Sequence, residues 1–140
     1  MSGLARMLMD RGAIVTGSEP TPNDQTLKLV EQGARITRDQ LGELLCHDVD
    51  LVVRTAAVPA TNVEFQIAGR LGLRTVKYAQ LLGEVMSEHL GIAVAGTHGK
   101  STTTAMIAHT LLRCGMDPSF VVGGTVPQLG GGSRSGTGSP

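Results

Sequence analysis

Aromatic residues are nearly absent from this 140-residue chain, which holds no Trp, one Tyr and two Phe. Proteins that bind single-stranded nucleic acid stack the bases on aromatic rings, so this class of binding site is all but excluded. Twelve basic residues balance twelve acidic ones. The resulting net charge of zero provides no general attraction to nucleic acid or to an anionic membrane.

Long apolar runs and cysteines are also scarce. No stretch of the sequence approaches the roughly 18–20 apolar residues that a membrane-spanning helix needs. The first ten residues carry Arg6 and Asp10, and they lack the apolar core of a signal peptide. The two cysteines, Cys46 and Cys114, are too few for a disulfide framework. The sequence therefore predicts a cytoplasmic protein that does not bind membranes.

Glycine, by contrast, is abundant, and its 19 residues punctuate a repeated pattern. Five segments with helical apolar spacing each end near a glycine that leads into a short apolar run. The helices are predicted over residues 2–11, 24–32, 62–71, 79–89 and 101–113, and the strands at 13–15, 34–36, 73–76, 92–95 and 120–122. Because strands buried on both faces are continuously apolar, the pattern predicts an α/β fold with a mainly parallel sheet.

Other segments complete this prediction. A short helix over 39–45 is expected to lead into a further strand at 50–53. Residues 130–140 contain no apolar side chain and are typical of a mobile loop or linker. Folds of this class start on a strand, whereas this chain opens on a helix, so both ends are expected to be cuts through a larger protein.

The balance of charge changes near residue 90. Residues 1–90 hold 9 basic and 11 acidic groups, whereas residues 91–140 hold 3 basic groups and 1 acidic group. We therefore expect two domains, 1–90 and 91–140, with the small positive excess of the second favouring an anion site.

The strongest motif is AVAGTHGKSTTT at residues 93–104, where an apolar run passes through a glycine loop into a helix. Gly96 and Gly99 allow the backbone to turn its amides toward phosphate oxygens, and the helix N-terminus adds unpaired amides. Lys100 is expected to contact the β- and γ-phosphates of ATP, and the Ser101 hydroxyl to bind Mg²⁺. The predicted nucleotide ligands are Gly96, Thr97, His98, Gly99, Lys100, Ser101 and Thr102. The alternative is an ordinary turn with a capping Ser or Thr, because Val94 stands where the general phosphate-loop pattern has its first glycine.

Residues 91–124, with the loop GTHGKST, resemble the start of the central ATPase domain of the Mur ligases. These are the ATP-dependent amide ligases of peptidoglycan synthesis, whose loop lacks the upstream glycine. Four earlier segments resemble the N-terminal domain of the family, namely 1–5, 15–19, 55–62 and 77–82. The resemblance implies a Rossmann-like domain for a UDP-sugar, without its opening strand, followed by the start of a P-loop ATPase domain.

The same resemblance implies a reaction. ATP would phosphorylate the lactyl carboxylate of UDP-N-acetylmuramate, and L-alanine would attack the acyl phosphate, with Lys100 as the catalytic residue. The alternatives are a murein tripeptide recycling ligase of the same family and a nucleotide-binding module without chemistry. These 140 residues alone are not expected to be active.

The first domain offers softer candidates for contacts to the sugar nucleotide, which are Gly3, Glu19, Thr55 and Asn62. Glu19 stands where the family usually has Asp, and its alternative is a solvated side chain ahead of a proline turn. For Thr55 and Asn62 the alternative is capping of the helix that follows. Arg54 ends a strand and is interpreted as a surface arginine, with a phosphate contact as the alternative.

Overall fold

The structure, a computed structural model, describes residues 1–137. Its contacts divide the chain into two units, and the first helix, α1 (Ser2–Asp10), does not belong to the unit that follows it in sequence. Unit 1 comprises Met1 and residues 14–89, and unit 2 comprises residues 2–13 and those from Leu90 onwards. One division between the units thus falls next to residue 90. The assignment of domains to 1–90 and 91–140 stays a prediction.

Unit 1 alternates short strands with helices. Its elements are β1 (Thr16–Ser18), α2 (Asp24–Glu31), β2 (Arg35–Thr37), β3 (Val52–Arg54), α3 (Val63–Arg70), β4 (Thr75–Lys77) and α4 (Tyr78–Ser87). Strand β1 pairs in parallel with β2, and β3 pairs in parallel with β4. Its most buried apolar side chains are Leu29, Ala34, Ala68, Val76 and Leu81. Parallel strands joined through helices confirm the predicted α/β class.

The strands of unit 1 form two separate two-stranded sheets within residues 1–137. The expected absence of the opening strand of a Rossmann-like sheet stays a prediction.

Unit 2 consists of α1, α5 (Lys100–Arg113), β5 (Phe120–Val121), a 3₁₀ turn (Pro127–Leu129) and β6 (Ser133–Arg134). Strands β5 and β6 are antiparallel, with Phe120 opposite Arg134. A small core forms where Ala108 of α5 packs with Phe120 and Val122. Helix α1 packs against β6 and buries Leu4 and Met7. None of the helices within residues 1–137 is long and apolar enough to cross a bilayer.

Three sequence predictions of local structure are wrong. Residues 13–15 form no strand, and β1 starts directly after them. Residues 92–95 form no strand, and the side chain of Ile92 is 59% exposed. A strand needs a partner for its backbone hydrogen bonds, and no strand in the described part of the chain pairs with this segment. Residues 39–45 form turns and no helix, because Gly42 takes a left-handed conformation (φ 81°) that interrupts helical geometry.

The prediction that residues 130–140 form a mobile linker is also wrong for the residues described. Ser133 and Arg134 form β6, and Ser133 is buried. The segment packs because its glycines allow close backbone contact, and its hydrogen-bonding groups find partners in β5 and in the segment before it. Residues 138–140 of this prediction lie outside the described residues.

Candidate functional site

The glycine loop of unit 2 turns at two positions that only glycine adopts without strain. Gly96 has φ 147°, and Gly99, the N-cap residue of α5, has φ 77°. The first helical hydrogen bond runs from the amide of Thr103 to the carbonyl of Gly99, at 2.8 Å. The prediction of a turn at these glycines and of a helix starting near Lys100 is confirmed.

The side chain of Lys100 folds back over this loop. Its Nζ donates hydrogen bonds to the carbonyl oxygens of Gly96 (2.6 Å) and Thr97 (3.1 Å). The first turn of α5 contains no acidic residue, so its positive end is not neutralised locally. An exposed ammonium group at the N-terminus of a 14-residue helix favours the binding of a phosphate group.

The residues that follow β5 lie beside the start of α5. A methyl group placed on Gly123 would lie 3.5 Å from Oγ of Ser101. An open groove of about 600 Å³ runs along α5 from Ser101 and Thr102, with Gly124 and Gln128 on its other wall. The sequence did not lead us to predict this wall. The Gly-Gly pair directly after the predicted strand at 120–122 could have indicated that the backbone approaches another element closely there.

The residues described here supply little of a complete metal site. Within residues 1–137 no group of three or more His, Cys, Asp or Glu side chains could hold a metal ion. Mg²⁺ in nucleotide sites typically takes only one or two protein ligands and completes its shell with phosphate oxygens and water. The exposed Ser101 hydroxyl fits one of these positions.

In unit 1, Glu19, Thr55 and Asn62 each make a local hydrogen bond. Their side-chain oxygens accept from the amides of residues 21, 57 and 65, at 3.1, 3.2 and 3.2 Å. Asn62 thereby caps α3, Thr55 closes a turn, and Glu19 braces the turn after β1. Their contacts to a sugar nucleotide stay predictions.

Two interactions near these residues were missed by sequence reasoning. Ser18 Oγ donates to Glu64 Oε2 at 2.6 Å, which joins the carboxyl end of β1 to the first turn of α3. The guanidinium of Arg54 lies 4.7 Å from the centroid of the Phe65 ring and donates to the carbonyl of Val58. Neither contact could be predicted from the sequence, because the way α3 packs determines which residues meet its side chains.

Gly3 lies in unit 2 on α1, where it allows close packing. A methyl group at this position would lie 3.1 Å from Cβ of Ser133 and 3.3 Å from Cγ1 of Val121. Both distances are short for a carbon contact, so glycine lets α1 sit closely on the β5–β6 pair. Its predicted contact to the sugar nucleotide stays a prediction as well.

A family model and curated proteins both match this chain. Residues 1–90 match the family model described as Mur ligase family, catalytic domain. The UDP-N-acetylmuramate–L-alanine ligase of Synechococcus sp. (strain RCC307) is 41% identical over 144 residues, which cover 99% of this chain and 30% of that protein.

Two solved structures are also similar. The UDP-N-acetylmuramate–alanine ligase from Thermotoga maritima has a TM-score of 0.91 at 29% identity, covering 99% of this chain and 33% of that one. A murein peptide ligase from Psychrobacter arcticus has a TM-score of 0.87 at 32% identity, covering 100% of this chain and 32% of that one. The chain thus spans about 30% of the length of the curated relative.

Proposed function

Since the chain belongs to the Mur ligase family, we propose that the native protein joins L-alanine to UDP-N-acetylmuramate at the expense of ATP, in peptidoglycan precursor synthesis. The relatives that match nearly the whole chain carry this activity in their names. The geometry of the glycine loop and of Lys100 is the observation that supports it most directly, since an exposed lysine at the start of a long helix favours the binding of a phosphate group.

Each loop residue has a role in this proposal. The loop and first-turn amides, from Gly96 to Thr102, hold the phosphates of ATP. Lys100 stabilises the charge that develops during transfer of the γ-phosphoryl group to the substrate carboxylate. Ser101 supplies a hydroxyl ligand for Mg²⁺, which neutralises phosphate charge when bound. Phosphoryl transfer depends mainly on such positioning and charge stabilisation.

A second candidate is a ligase that attaches a murein tripeptide in place of L-alanine. The match to the murein peptide ligase of Psychrobacter arcticus favours it, at slightly higher sequence identity than the match to the Thermotoga maritima ligase. Both candidates use the same phosphate loop, so the two differ only in the amine that is joined to the sugar nucleotide.

The test is phosphate release from ATP by the native protein with UDP-N-acetylmuramate, using L-alanine or the tripeptide L-alanyl-γ-D-glutamyl-meso-diaminopimelate as the amine. Release that depends on L-alanine supports the proposal, and release that depends on the tripeptide supports the second candidate. ATP binding without release in either mixture would contradict both and favour a nucleotide-binding module without chemistry.

The matched variants are Lys100→Ala and Lys28→Ala, which remove one exposed lysine each. Loss of one preorganised donor to transition-state charge typically slows turnover about 10²- to 10³-fold. The two hydrogen bonds of Lys100 are solvent-exposed, and each would contribute at most about 1 kcal/mol to stability. We therefore expect Lys100→Ala to lose turnover and keep its fold, with Lys28→Ala normal in both. Near-normal release by Lys100→Ala would refute the role of the loop.

A further inference from the structure

Asp117 lies in the link between α5 and β5, and its carboxylate accepts from three donors in β6 and in the residues after it. Oδ1 forms an ion pair with Nη2 of Arg134. Oδ2 accepts from the amide and from the hydroxyl of Thr137, both at 2.7 Å. Two residues further on, Ser119 Oγ accepts from the amide of Gly136 at 3.0 Å. We call this set of residues (117, 119, 134, 136 and 137) the Asp117 clamp.

The backbones joined by the clamp touch each other. A methyl group on Gly136 would overlap the carbonyl group of Asp117 and would lie 2.7 Å from the carbonyl carbon of Pro118. No side chain larger than that of glycine fits at position 136 without moving the backbone. The contact therefore depends on a specific residue on each side, a carboxylate at 117 and a glycine at 136.

The clamp also favours the charged form of its acceptor. Hydrogen bonds from the amide and then from the hydroxyl of Thr137, together with the charge of Arg134, lower the pKa of Asp117 below its usual range. The carboxylate is 30% exposed and the Arg134 side chain 44%, so solvent screens the ion pair in part. The carboxylate thus accepts all three donors at neutral pH.

The turn of the β5–β6 hairpin, at the end opposite the clamp, lies beside the phosphate loop. The turn is held by the bond from the amide of Val122 to the carbonyl of Gly132, at 2.7 Å. Within that turn, Gly123 approaches the hydroxyl of Ser101. The β5–β6 ladder itself has only two residue pairs, and a hairpin of that size is marginal without further support.

We propose that Asp117 is a positioning residue, which anchors the base of the β5–β6 hairpin so that its turn stays against the Ser101 hydroxyl. This inference rests on the proposed function, in which Ser101 is a ligand of Mg²⁺. Asp117 does not touch the substrates in this account and acts through the hairpin. Nothing in the sequence pattern assigns it a role.

The experiment compares Asp117→Asn with Asp10→Asn in the native protein. Asn keeps the shape of the side chain, but one of its ends is an NH₂ donor that would face the donors of Thr137 or Arg134. Asp10 is exposed at the end of α1 in the same unit and serves as the matched control. The measurements are amide hydrogen exchange at Val122 and the Mg²⁺ concentration that supports half-maximal turnover.

We expect exchange at Val122 to accelerate roughly ten- to a hundredfold in Asp117→Asn, as for loss of hydrogen bonds to a charged group. The half-maximal Mg²⁺ concentration should rise severalfold, with Asp10→Asn unchanged. Thr137→Val, which loses the hydroxyl and keeps the backbone bond, should show both effects in weaker form. It replaces Asp117→Asn as the decisive variant if that protein does not fold.

The possible outcomes distinguish a positioning role of Asp117 from a purely structural role, and both from failure of the proposed function. Unchanged exchange at Val122 in both variants would overturn the clamp as an anchor. Faster exchange with unchanged Mg²⁺ dependence would overturn positioning and leave the clamp a stability feature alone, since a purely structural role lowers the amount of folded protein without changing its affinity for the metal. A wild-type protein without ATP-dependent turnover would overturn the proposed function, and this inference with it.

Discussion

Replacing Gly99 by alanine tests whether the phosphate loop needs a left-handed residue at the start of α5. Gly99 has φ 77° and ψ −5°, a conformation that costs a residue with a Cβ atom about 1–2 kcal/mol. The added methyl group would meet only Oγ1 of Thr103, at 4.0 Å. Since that is an ordinary contact, the whole penalty comes from the backbone.

Part of this penalty is offset in the unfolded chain, where alanine has less freedom than glycine by about 0.4–1 kcal/mol. The net loss is therefore about 1 kcal/mol, which corresponds to a roughly fivefold shift in the equilibrium between the native loop and its alternatives. If ATP binds only to the native loop, its apparent dissociation constant rises by up to about fivefold, in proportion to the fraction of loops that leave that conformation.

Gly83→Ala is the matched control, because the same substitution should act with the opposite sign. Gly83 lies within α4, does not have a positive φ, and has open space around its Cβ position. Alanine there should stabilise the helix by about 0.5–1 kcal/mol. The assays are urea unfolding of the native protein and ATP titration. Gly99→Asn should retain more affinity for ATP than Gly99→Ala, because Asn tolerates the left-handed region. Full ATP affinity and unchanged stability in Gly99→Ala would refute this account of the loop.

Substitutions at two further positions test individual side chains. Ser101→Ala should raise the half-maximal Mg²⁺ concentration at least about tenfold, since loss of even an outer-shell partner typically costs about 10- to 100-fold in metal affinity. If its Mg²⁺ titration matches wild type, Thr102 is the better candidate. Asn62→Ala should lower the free energy of unfolding by about 1 kcal/mol through loss of the α3 cap, and Asn62→Ser should restore it. A KM for UDP-N-acetylmuramate that stays raised in Asn62→Ser would support direct contact with the substrate, whereas a KM that recovers with the cap would show capping alone.

The phosphate loop could be predicted from the sequence because everything that shapes it is local. Gly96, Gly99 and Lys100 lie within five consecutive residues. The left-handed turns, the start of the helix and the return of the lysine to the loop carbonyls involve only neighbours in the chain. Conformational preference and the helix N-terminus suffice to determine such a segment, whatever packs around it.

The alternation of helices and strands could also be predicted from the sequence, since apolar spacing and helix-ending glycines are local signals. The segment at 92–95 shows the limit of that information. Its apolar composition suits a strand, but a strand exists only where another backbone pairs with it, and here the described chain supplies none. Apolar composition indicates a preference for a strand, and the presence of a pairing strand decides whether one forms.

Tertiary structure alone decided the long-range contacts within each unit. The Asp117 clamp joins residues 17 to 20 positions apart, and Ser18 meets Glu64 across 46 positions. Gly3 of α1 packs on Ser133, near the opposite end of the chain. Such contacts depend on how whole elements approach each other, and a polar glycine-rich segment has no periodicity from which that approach could be inferred. The sequence by itself determined the conformation of the glycine loop, and tertiary packing determined which distant residues came into contact.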